Sequence, residues 1–316
     1  MSAKIKKNWL LFGFCSALAG LAIFWFLTIP KQVDASELPK YTVDVENGRY
    51  MFYAGGCASC HAKKGAVGKE LLEMVGGKEL KTPFGSFFVP NISPDVQHGI
   101  GGWSDADFVT AMVKGTSPDG KHYFPSFPYA SYQNMKLTDI LDLKAFMDTL
   151  PAISSEVKDH ELPLIFSWRR GLGLWKLLFM KNSVAVYDNG MDDVTKRGAY
   201  LVQGPAHCSE CHTSRNFLGG PDRSRFLAGG PAPEGKGFIP NLTPDKTGIG
   251  SWSQADIAYS LESGFTPDFD TFGSTMAEVQ VNMAKLTKQD RQAIARYIKS
   301  LKAIKTVKVE KPKKPD

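Results

Sequence analysis

The chain has 316 residues, 43% of them hydrophobic and 22% charged, with a formal net charge of +6. Lys4, Lys6 and Lys7 carry three of these charges, and residues 299–316 hold seven lysines against two acidic residues, so the rest of the chain has a net charge of −2. A nucleic-acid-binding protein would carry clustered Lys and Arg on its folded body, and this distribution excludes that role.

The first predicted element is an apolar helix over residues 9–29, which contain no charged residue. As a helix this run would extend about 31 Å, enough to cross a hydrocarbon core of about 30 Å. Lysines precede the run, so the positive-inside rule places the N-terminus in the cytoplasm and the remainder of the chain outside. We therefore predict a single-pass membrane anchor within residues 1–35.

The alternative for this segment is a cleaved signal peptide, because Val33-Asp34-Ala35 resembles a small-x-small cleavage site. The apolar region of a signal peptide has about 7 to 15 residues, and this run is longer, which favours an uncleaved anchor. Cys15 is interpreted as a small apolar residue of the helix. A lipoprotein anchor would need small residues before this cysteine, and the sequence there is Phe12-Gly13-Phe14.

The pattern Cys-x-x-Cys-His follows the anchor and occurs twice. It is typical of c-type haem attachment, because two thiols three positions apart can each bond one vinyl group of a porphyrin while the adjacent imidazole lies under the iron. A redox or zinc motif needs no histidine at that position, so two copies predict two covalently bound haem c groups. The predicted attachment residues are Cys57, Cys60 and His61 for the first haem, and Cys208, Cys211 and His212 for the second.

An internal repeat organises the rest of the chain into two similar halves of about 110 residues, a common size for a domain. The matching pairs of segments are Pro90–Asp95 with Pro240–Asp245, Gly99–Ser104 with Gly248–Ser253, and Lys136–Thr138 with Lys285–Thr287. We predict one domain over residues 41–152 and a second over residues 190–304.

Each half has helical patterns and few strand signals. Helices are predicted to lead into the haem motifs over residues 47–56 and 193–203. Ser104 and Ser253, each with Asp three positions on, resemble capping boxes that start further helices. Final helices are predicted to begin near Thr138 and Thr287, and the expected fold class is all-α.

An apolar linker is predicted over residues 153–189. Its stretch 163–180 is too short for a second membrane crossing and is interrupted by Arg169, Arg170 and Lys176. We interpret it as a helical linker packed across both domains, with contact to a partner subunit or to the membrane surface as the alternative. The Lys-rich tail, residues 305–316, is predicted to be disordered, with docking on anionic lipid or an acidic partner left open.

From about Tyr41 to Ile304 the chain resembles the cytochrome c subunits of bacterial periplasmic dehydrogenases, such as the membrane-bound alcohol and aldehyde dehydrogenases. The motifs that carry the resemblance are both haem motifs, both halves of the repeat, Thr82-Pro83-Phe84-Gly85 and Ser274-Thr275-Met276-Ala277-Glu278-Val279. Members of this group often carry three haems, whereas this chain has two motifs. The resemblance implies two tandem class I cytochrome c-like domains behind the transmembrane helix, in the bacterial inner membrane and facing the periplasm.

The resemblance also implies the function. The chain would be an electron-transfer subunit that takes electrons from a periplasmic dehydrogenase catalytic subunit and delivers them to the quinone pool or a terminal oxidase. Catalysis would then belong to the partner. The alternatives are a di-haem cytochrome of a quinol-oxidising or terminal-oxidase complex, and a di-haem peroxidase with one iron left open.

Cytochromes c commonly hold iron by His and Met, so each haem needs a candidate methionine besides the proximal His61 or His212. Met276 matches the family's axial methionine for the second haem, and Met283 is the alternative ligand in that half. At the corresponding position of the first half stands Phe127, which cannot ligate iron and is the one feature that favours a peroxidase. In relatives with Phe there, a methionine shortly downstream takes this place, and here that is Met135.

Other residues remain candidates in the first half. Met112, His122 and His98 are alternatives for its sixth ligand. Beyond the ligands, His207, Arg215 and Arg223 are candidate neighbours of the haem propionates, since arginine forms charge-assisted hydrogen bonds with carboxylates.

Overall fold

The structure is a computed structural model that describes residues 3–180, 190–232 and 237–306, with side chains from residue 8 onward. The predicted tail beyond residue 306 and the last nine residues of the predicted linker lie outside the described residues. The apolar N-terminal run forms helix α1, Ala3–Leu27. Its stretch Asn8–Leu27 is long and apolar enough to cross a membrane, and it is not buried in the protein.

The first domain consists of five helices and one hairpin in the described part of the chain. The helices are α2 (Val45–Ala54), α3 (Cys57–His61), α4 (Asp105–Lys114), α5 (Tyr129–Tyr132) and α6 (Leu137–Met147). Between α3 and α4, strand β1 (Glu79–Thr82) pairs antiparallel with β2 (Gly85–Phe88), and Glu79 lies opposite Phe88.

The linker contributes two short helices, α7 (Leu164–Ser167) and α8 (Leu172–Phe179), joined by a 3-10 turn at Arg169–Gly171. The buried Trp175 of α8 donates a hydrogen bond from Nε1 to the carbonyl of Leu218 in the second domain, at 3.1 Å. Lys176, the next residue, donates to the carbonyls of Lys114 and Gly115 in the first domain, both at 2.7 Å. The structure thus places α8 against both domains.

The second domain repeats the helix order of the first. Its elements are α9 (Asp193–Gln203), α10 (Ser209–His212), the antiparallel pair β3 (Gly230–Pro231) and β4 (Phe238–Ile239), α11 (Gln254–Ser263), α12 (Thr275–Met283) and α13 (Lys288–Ser300). The predicted all-α fold is confirmed, and two short strand pairs accompany it in the described ranges.

Side-chain caps explain where several helices begin. Ser104 and Ser253 each accept a hydrogen bond from the amide of the aspartate three positions on, and the carboxylate of that aspartate accepts one from the serine amide. Thr287 caps α13 in the same way, by accepting from the amide of Asp290. These caps satisfy amides that the first helical turn leaves without partners, as the sequence pattern predicts.

In each domain the helix before the haem motif crosses the last helix at a glycine. A Cβ atom at Gly48 of α2 would lie 1.9 Å from the carbonyl oxygen of Asp142 in α6, and one at Gly198 of α9 would lie 1.9 Å from that of Ala293 in α13. Only glycine allows backbones to approach this closely. Around these crossings lie two hydrophobic cores, one including Phe52 and Ile140 and the other including Leu201.

Candidate haem sites

The first attachment motif occupies the short helix α3, which follows α2 after a two-residue break. Gly56 has φ +59°, a left-handed conformation that reverses the chain between the two helices. Cys57 packs against the core of the first domain. His61, at the end of α3, lies with its Nδ1 atom 2.9 Å from the carbonyl oxygen of Pro90.

The second site repeats this geometry. His212, at the end of α10, has Nδ1 2.8 Å from the carbonyl oxygen of Pro240. A carbonyl can only accept, so Nδ1 must carry the proton in both histidines. The lone pair is then on Nε2, which has no hydrogen-bond partner within the described ranges. This is the tautomer that binds a metal, and the bond at Nδ1 also raises the basicity of the ligand.

The repeated Pro-Asn-x-[Ser/Thr] block holds these carbonyls in place. The buried Asn91 donates from Nδ2 to the carbonyls of Ile153 and Ser155, at 2.7 and 3.1 Å, and its Oδ1 accepts from the amide of Ser93 at 2.9 Å. The buried Asn241 makes the corresponding bonds in the second domain, to the carbonyl of Ile304 at 2.7 Å, the hydroxyl of Thr306 at 3.1 Å and the amide of Thr243 at 2.8 Å. The repeat therefore has a structural purpose, which is to fix the acceptor for each histidine.

Desolvation shapes the electrostatics of both motifs. Burial lowers the pKa of His61 to about 4, against a smaller opposing effect of its bond to Pro90, and it lowers the pKa of His212 for the same reason. Both imidazoles are therefore neutral at pH 7, as a metal ligand must be. Burial raises the pKa of Cys57 and Cys208 to about 12, so both thiols are protonated in these surroundings.

The candidate sixth ligands lie in unequal surroundings. Met135 is buried in the same core cluster as Cys57 and Tyr132. Met276 lies in the first turn of α12 and is half-buried. Met283, the alternative ligand, is buried in the core of the second domain.

The alternatives in the first domain are partly engaged elsewhere. His122 has Nε2 2.9 Å from the carbonyl of Thr28 and Nδ1 2.9 Å from Nζ of Lys176, so both of its ring nitrogens have protein partners. Met112 is buried in the core, and His98 is half-buried in the loop before α4. Of these three, the geometry disfavours His122 as a ligand.

The candidate propionate neighbours also have protein partners. Arg215 forms an ion pair with Glu210 and donates to the carbonyl of Gly219 at 2.8 Å. Arg223 donates to the carbonyl of Phe179 at 2.7 Å. His207 has Nε2 3.2 Å from the carbonyl of Gly55 in the first domain.

The haem motif of each domain touches the other domain, which the sequence pattern did not indicate. The middle residue of the first motif, Ser59, donates to the carbonyl of Glu278 in α12 at 3.2 Å and accepts from Asn282 of that helix at 2.9 Å. Its counterpart Glu210 in the second motif accepts from Ser131 of α5 at 2.6 Å. The first motif therefore contacts α12 and the second contacts α5, and these two helices occupy corresponding places in the two domains.

A second pair of contacts follows the same approximate two-fold relation. Tyr50 of α2 donates to Asp290 of α13 at 2.6 Å, and Tyr200 of α9 donates to Asp139 of α6. Asp290 also forms a bidentate ion pair with Arg197, at 2.7 and 3.0 Å. Desolvation raises the pKa of Asp290, but its bonds to Arg197 and Tyr50 outweigh this effect and lower the pKa overall. Each tyrosine and aspartate has a counterpart in the other half, but the repeat alone does not show that they pair across the domains.

The donor set fits a c-type haem. Each site combines two cysteines on one helical turn, a neutral histidine with a free Nε2, and a thioether within the same domain. The described residues contain no cluster of three or more His, Cys, Asp or Glu side chains that could hold a metal ion by themselves. No disulfide joins the five cysteines, all of which lie in the described ranges.

The fold and these two sites define a protein that holds two haems, one in each helical domain. The chain belongs to the cytochrome c family, whose model matches residues 45–151 and again residues 195–302. A diheme c-type cytochrome of Cereibacter sphaeroides is 50% identical over 282 residues, which are 89% of this chain and 94% of that protein. The prediction of two covalently bound haem c groups is thereby confirmed.

Other relatives are subunits of dehydrogenases. The fructose dehydrogenase cytochrome subunit of Gluconobacter japonicus is 34% identical over 259 residues, 81% of this chain and 52% of that protein. The gluconate 2-dehydrogenase cytochrome c subunit of Pantoea cypripedii is 34% identical over 265 residues, 81% of this chain and 59% of that protein. The chain thus spans nearly all of the diheme relative and only about half of these dehydrogenase subunits. The predicted resemblance to dehydrogenase cytochrome c subunits is confirmed.

Proposed function

We propose that this protein is a membrane-anchored di-haem electron carrier that receives electrons from the catalytic subunit of a periplasmic dehydrogenase and delivers them to the quinone pool or a terminal oxidase. A haem c supplies one-electron chemistry at its iron when bound. Cys57 and Cys60 attach the first haem and Cys208 and Cys211 the second. His61 and Met135 ligate the first iron, and His212 and Met276 the second.

One observation carries this proposal: both attachment motifs lie at the interface between the domains. Ser59 bonds α12 and Glu210 bonds α5, so haems attached to these motifs would be held where the domains meet. A protein that passes electrons between two centres needs them close together and rigidly held. The paired bonds of Tyr50 to Asp290 and of Tyr200 to Asp139 supply this rigidity.

The assignment to the periplasmic face rests on α1 and the lysines before it. Helix α1 is long and apolar enough to cross a bilayer, and the positive-inside rule would then export both domains. Covalent haem attachment in bacteria takes place on that side. The relatives that are dehydrogenase subunits support a dehydrogenase as the electron donor.

The ligand assignment is tested by Met135→Ala, with Met112→Ala as the matched control, because both methionines are buried in the first core. We expect Met135→Ala to convert one of the two haems to the high-spin spectrum of an iron without its thioether. Met112→Ala should keep both spectra low-spin. An unchanged spectrum in Met135→Ala contradicts the assignment.

The functional proposal is tested by purifying the protein from its native membrane in mild detergent and identifying associated subunits by mass spectrometry. We expect a dehydrogenase catalytic subunit, and reduction of both haems when its substrate is added. Copurification with a quinol-oxidising or terminal-oxidase complex instead would favour that alternative. Rapid peroxide turnover by the purified protein would favour the peroxidase alternative, which rests on Phe127 in place of a methionine ligand.

A further inference from the structure

The linker carries a row of exposed apolar side chains, here called the linker face: Leu164, Ile165, Trp168, Leu174, Leu177 and Leu178. Leu164 is 89% exposed, Ile165 78% and Trp168 63%. The opposite side of the same segment is packed, since Trp175 is buried against the domains. Exposed apolar side chains grouped in one short segment mark an interaction site.

One member of the linker face, Trp168, touches the end of the membrane helix. The Trp168 ring stacks on Phe24 of α1, with ring centroids 5.3 Å apart. Arg170 donates to the hydroxyl of Thr28 at 2.9 Å and to the carbonyl of Trp25 at 2.6 Å, and its guanidinium lies 4.1 Å from the Trp25 ring. These contacts join the linker to the last turn of α1.

The same junction is anchored to the first domain. Thr28 is fully buried, and its carbonyl accepts the bond from His122 of that domain. Helix α8 also packs tightly there, because a Cβ atom at Gly173 would lie 2.5 Å from Cβ of Thr28. The linker therefore cannot move far from the end of α1 without breaking buried contacts.

We infer that the linker face rests on the outer surface of the membrane that α1 crosses, with its apolar side chains at the boundary between headgroups and acyl chains. This inference rests on the proposed membrane anchor. Elements that touch the last turn of a membrane helix lie at headgroup depth, where Trp is enriched and Arg can act as an anchor. A short helix with one exposed apolar side and basic flanks is the kind that lies in this interface.

Charge favours a lipid surface over a protein partner. Residues 163–180 contain no acidic residue, and of their three basic residues only Lys176 is bonded to carbonyls of the first domain. The remaining positive charge suits anionic headgroups. Arg169 lies between α7 and α8, so its charged end can reach headgroups while its stem stays with the apolar side chains. Arg170 holds the same segment at the end of α1. Two membrane contacts, α1 and the linker face, would keep the first domain at the bilayer surface and restrain its rotation about the anchor.

Site-directed spin labelling of the full-length holoprotein tests this inference. The protein is placed in nanodiscs of phosphatidylethanolamine and phosphatidylglycerol with both haems reduced. The native Cys15 is labelled first, and Leu164→Cys and Ile165→Cys are labelled in a Cys15→Ser background. The matched control is Phe269→Cys, because Phe269 is an apolar residue 92% exposed. It lies on the loop of the second domain that corresponds to the loop carrying His122.

Power saturation compares access to oxygen, which concentrates in lipid, with access to a polar nickel complex, which stays in water. We expect labels at residues 15, 164 and 165 to favour oxygen and the label at residue 269 to favour nickel. Nickel access at 164 and 165, with residue 15 still in lipid, overturns the inference and leaves the anchor intact. Shielding of 164 and 165 from both reagents also overturns it, because protein then covers the face. Nickel access at residue 15 contradicts the anchor itself.

Discussion

Replacing Asn91 by alanine should weaken the first haem site while leaving the second unchanged. The side chain is buried and makes three hydrogen bonds, to the carbonyls of Ile153 and Ser155 and from the amide of Ser93. The carbonyl of Ile153 keeps a bond from the Ser93 hydroxyl, and Ser155 is partly open to water. The amide of Ser93 loses its acceptor inside the protein.

The expected loss of stability follows from what happens to each of these three hydrogen-bonding groups. A buried donor left without a partner costs about 1–3 kcal/mol, and each replaceable bond contributes about 0.5–1.5 kcal/mol. We expect a loss of about 2–4 kcal/mol in the free energy of unfolding of the first domain, measured in urea. The loop that carries the Pro90 carbonyl would also loosen, and potentiometric titration should show a change in one midpoint potential only.

Asn241→Ala is the matched control, because it removes the corresponding three bonds from the second domain. It should change the other midpoint potential. The reasoning is refuted if Asn91→Ala lowers the free energy of unfolding by less than about 1 kcal/mol, or if both variants change the same potential.

Three further predictions follow from single contacts. Gly48→Ala places a methyl group 1.9 Å from the Asp142 carbonyl oxygen and should lower the free energy of unfolding, measured in urea, by about 1–3 kcal/mol through overpacking. The control Gly102→Ala, whose Cβ would meet nothing closer than 3.8 Å, should change that free energy little. Equal stability of the two variants would contradict the helix crossing. Burial lowers the pKa of Lys176 to about 7, so between pH 7 and the ordinary lysine pKa the unfolded chain binds one proton more than the folded chain. The free energy of unfolding should therefore rise with pH in that window. Lys176→Met should flatten this rise, and an identical slope would show that Lys176 is fully charged in the fold. Asp290→Ala leaves Arg197 and Tyr50 without their shared partner and should cost about 2–4 kcal/mol. Glu46→Ala removes only an exposed pair with Arg49 and should change stability little. Comparable losses of the two variants in thermal unfolding would argue against a structural domain interface.

Much of the chemistry was readable from local spacing. A Cys-x-x-Cys-His motif places its groups on one helical turn, so its chemistry depends on neighbours in sequence, and the repeat showed that the unit is present twice. The capped helix starts at Ser104 and Ser253 were predictable for the same reason, because a cap is formed by residues three positions apart. The apolar run of α1 likewise needs only composition and length.

The long-range contacts were decided by the tertiary structure alone. Nothing in the local sequence pairs His61 with Pro90 or Ser59 with α12, because these contacts join residues far apart in the chain. The linker was ambiguous for a related reason: its composition suits a packed helix and a membrane surface equally. Only the fold shows that Trp175 is buried while Leu164 and Ile165 stay exposed, and that Trp168 of the same segment stacks on Phe24 of α1. Spacing along the chain specifies groups that one helical turn brings together, whereas packing between distant segments decides which of their faces remain open.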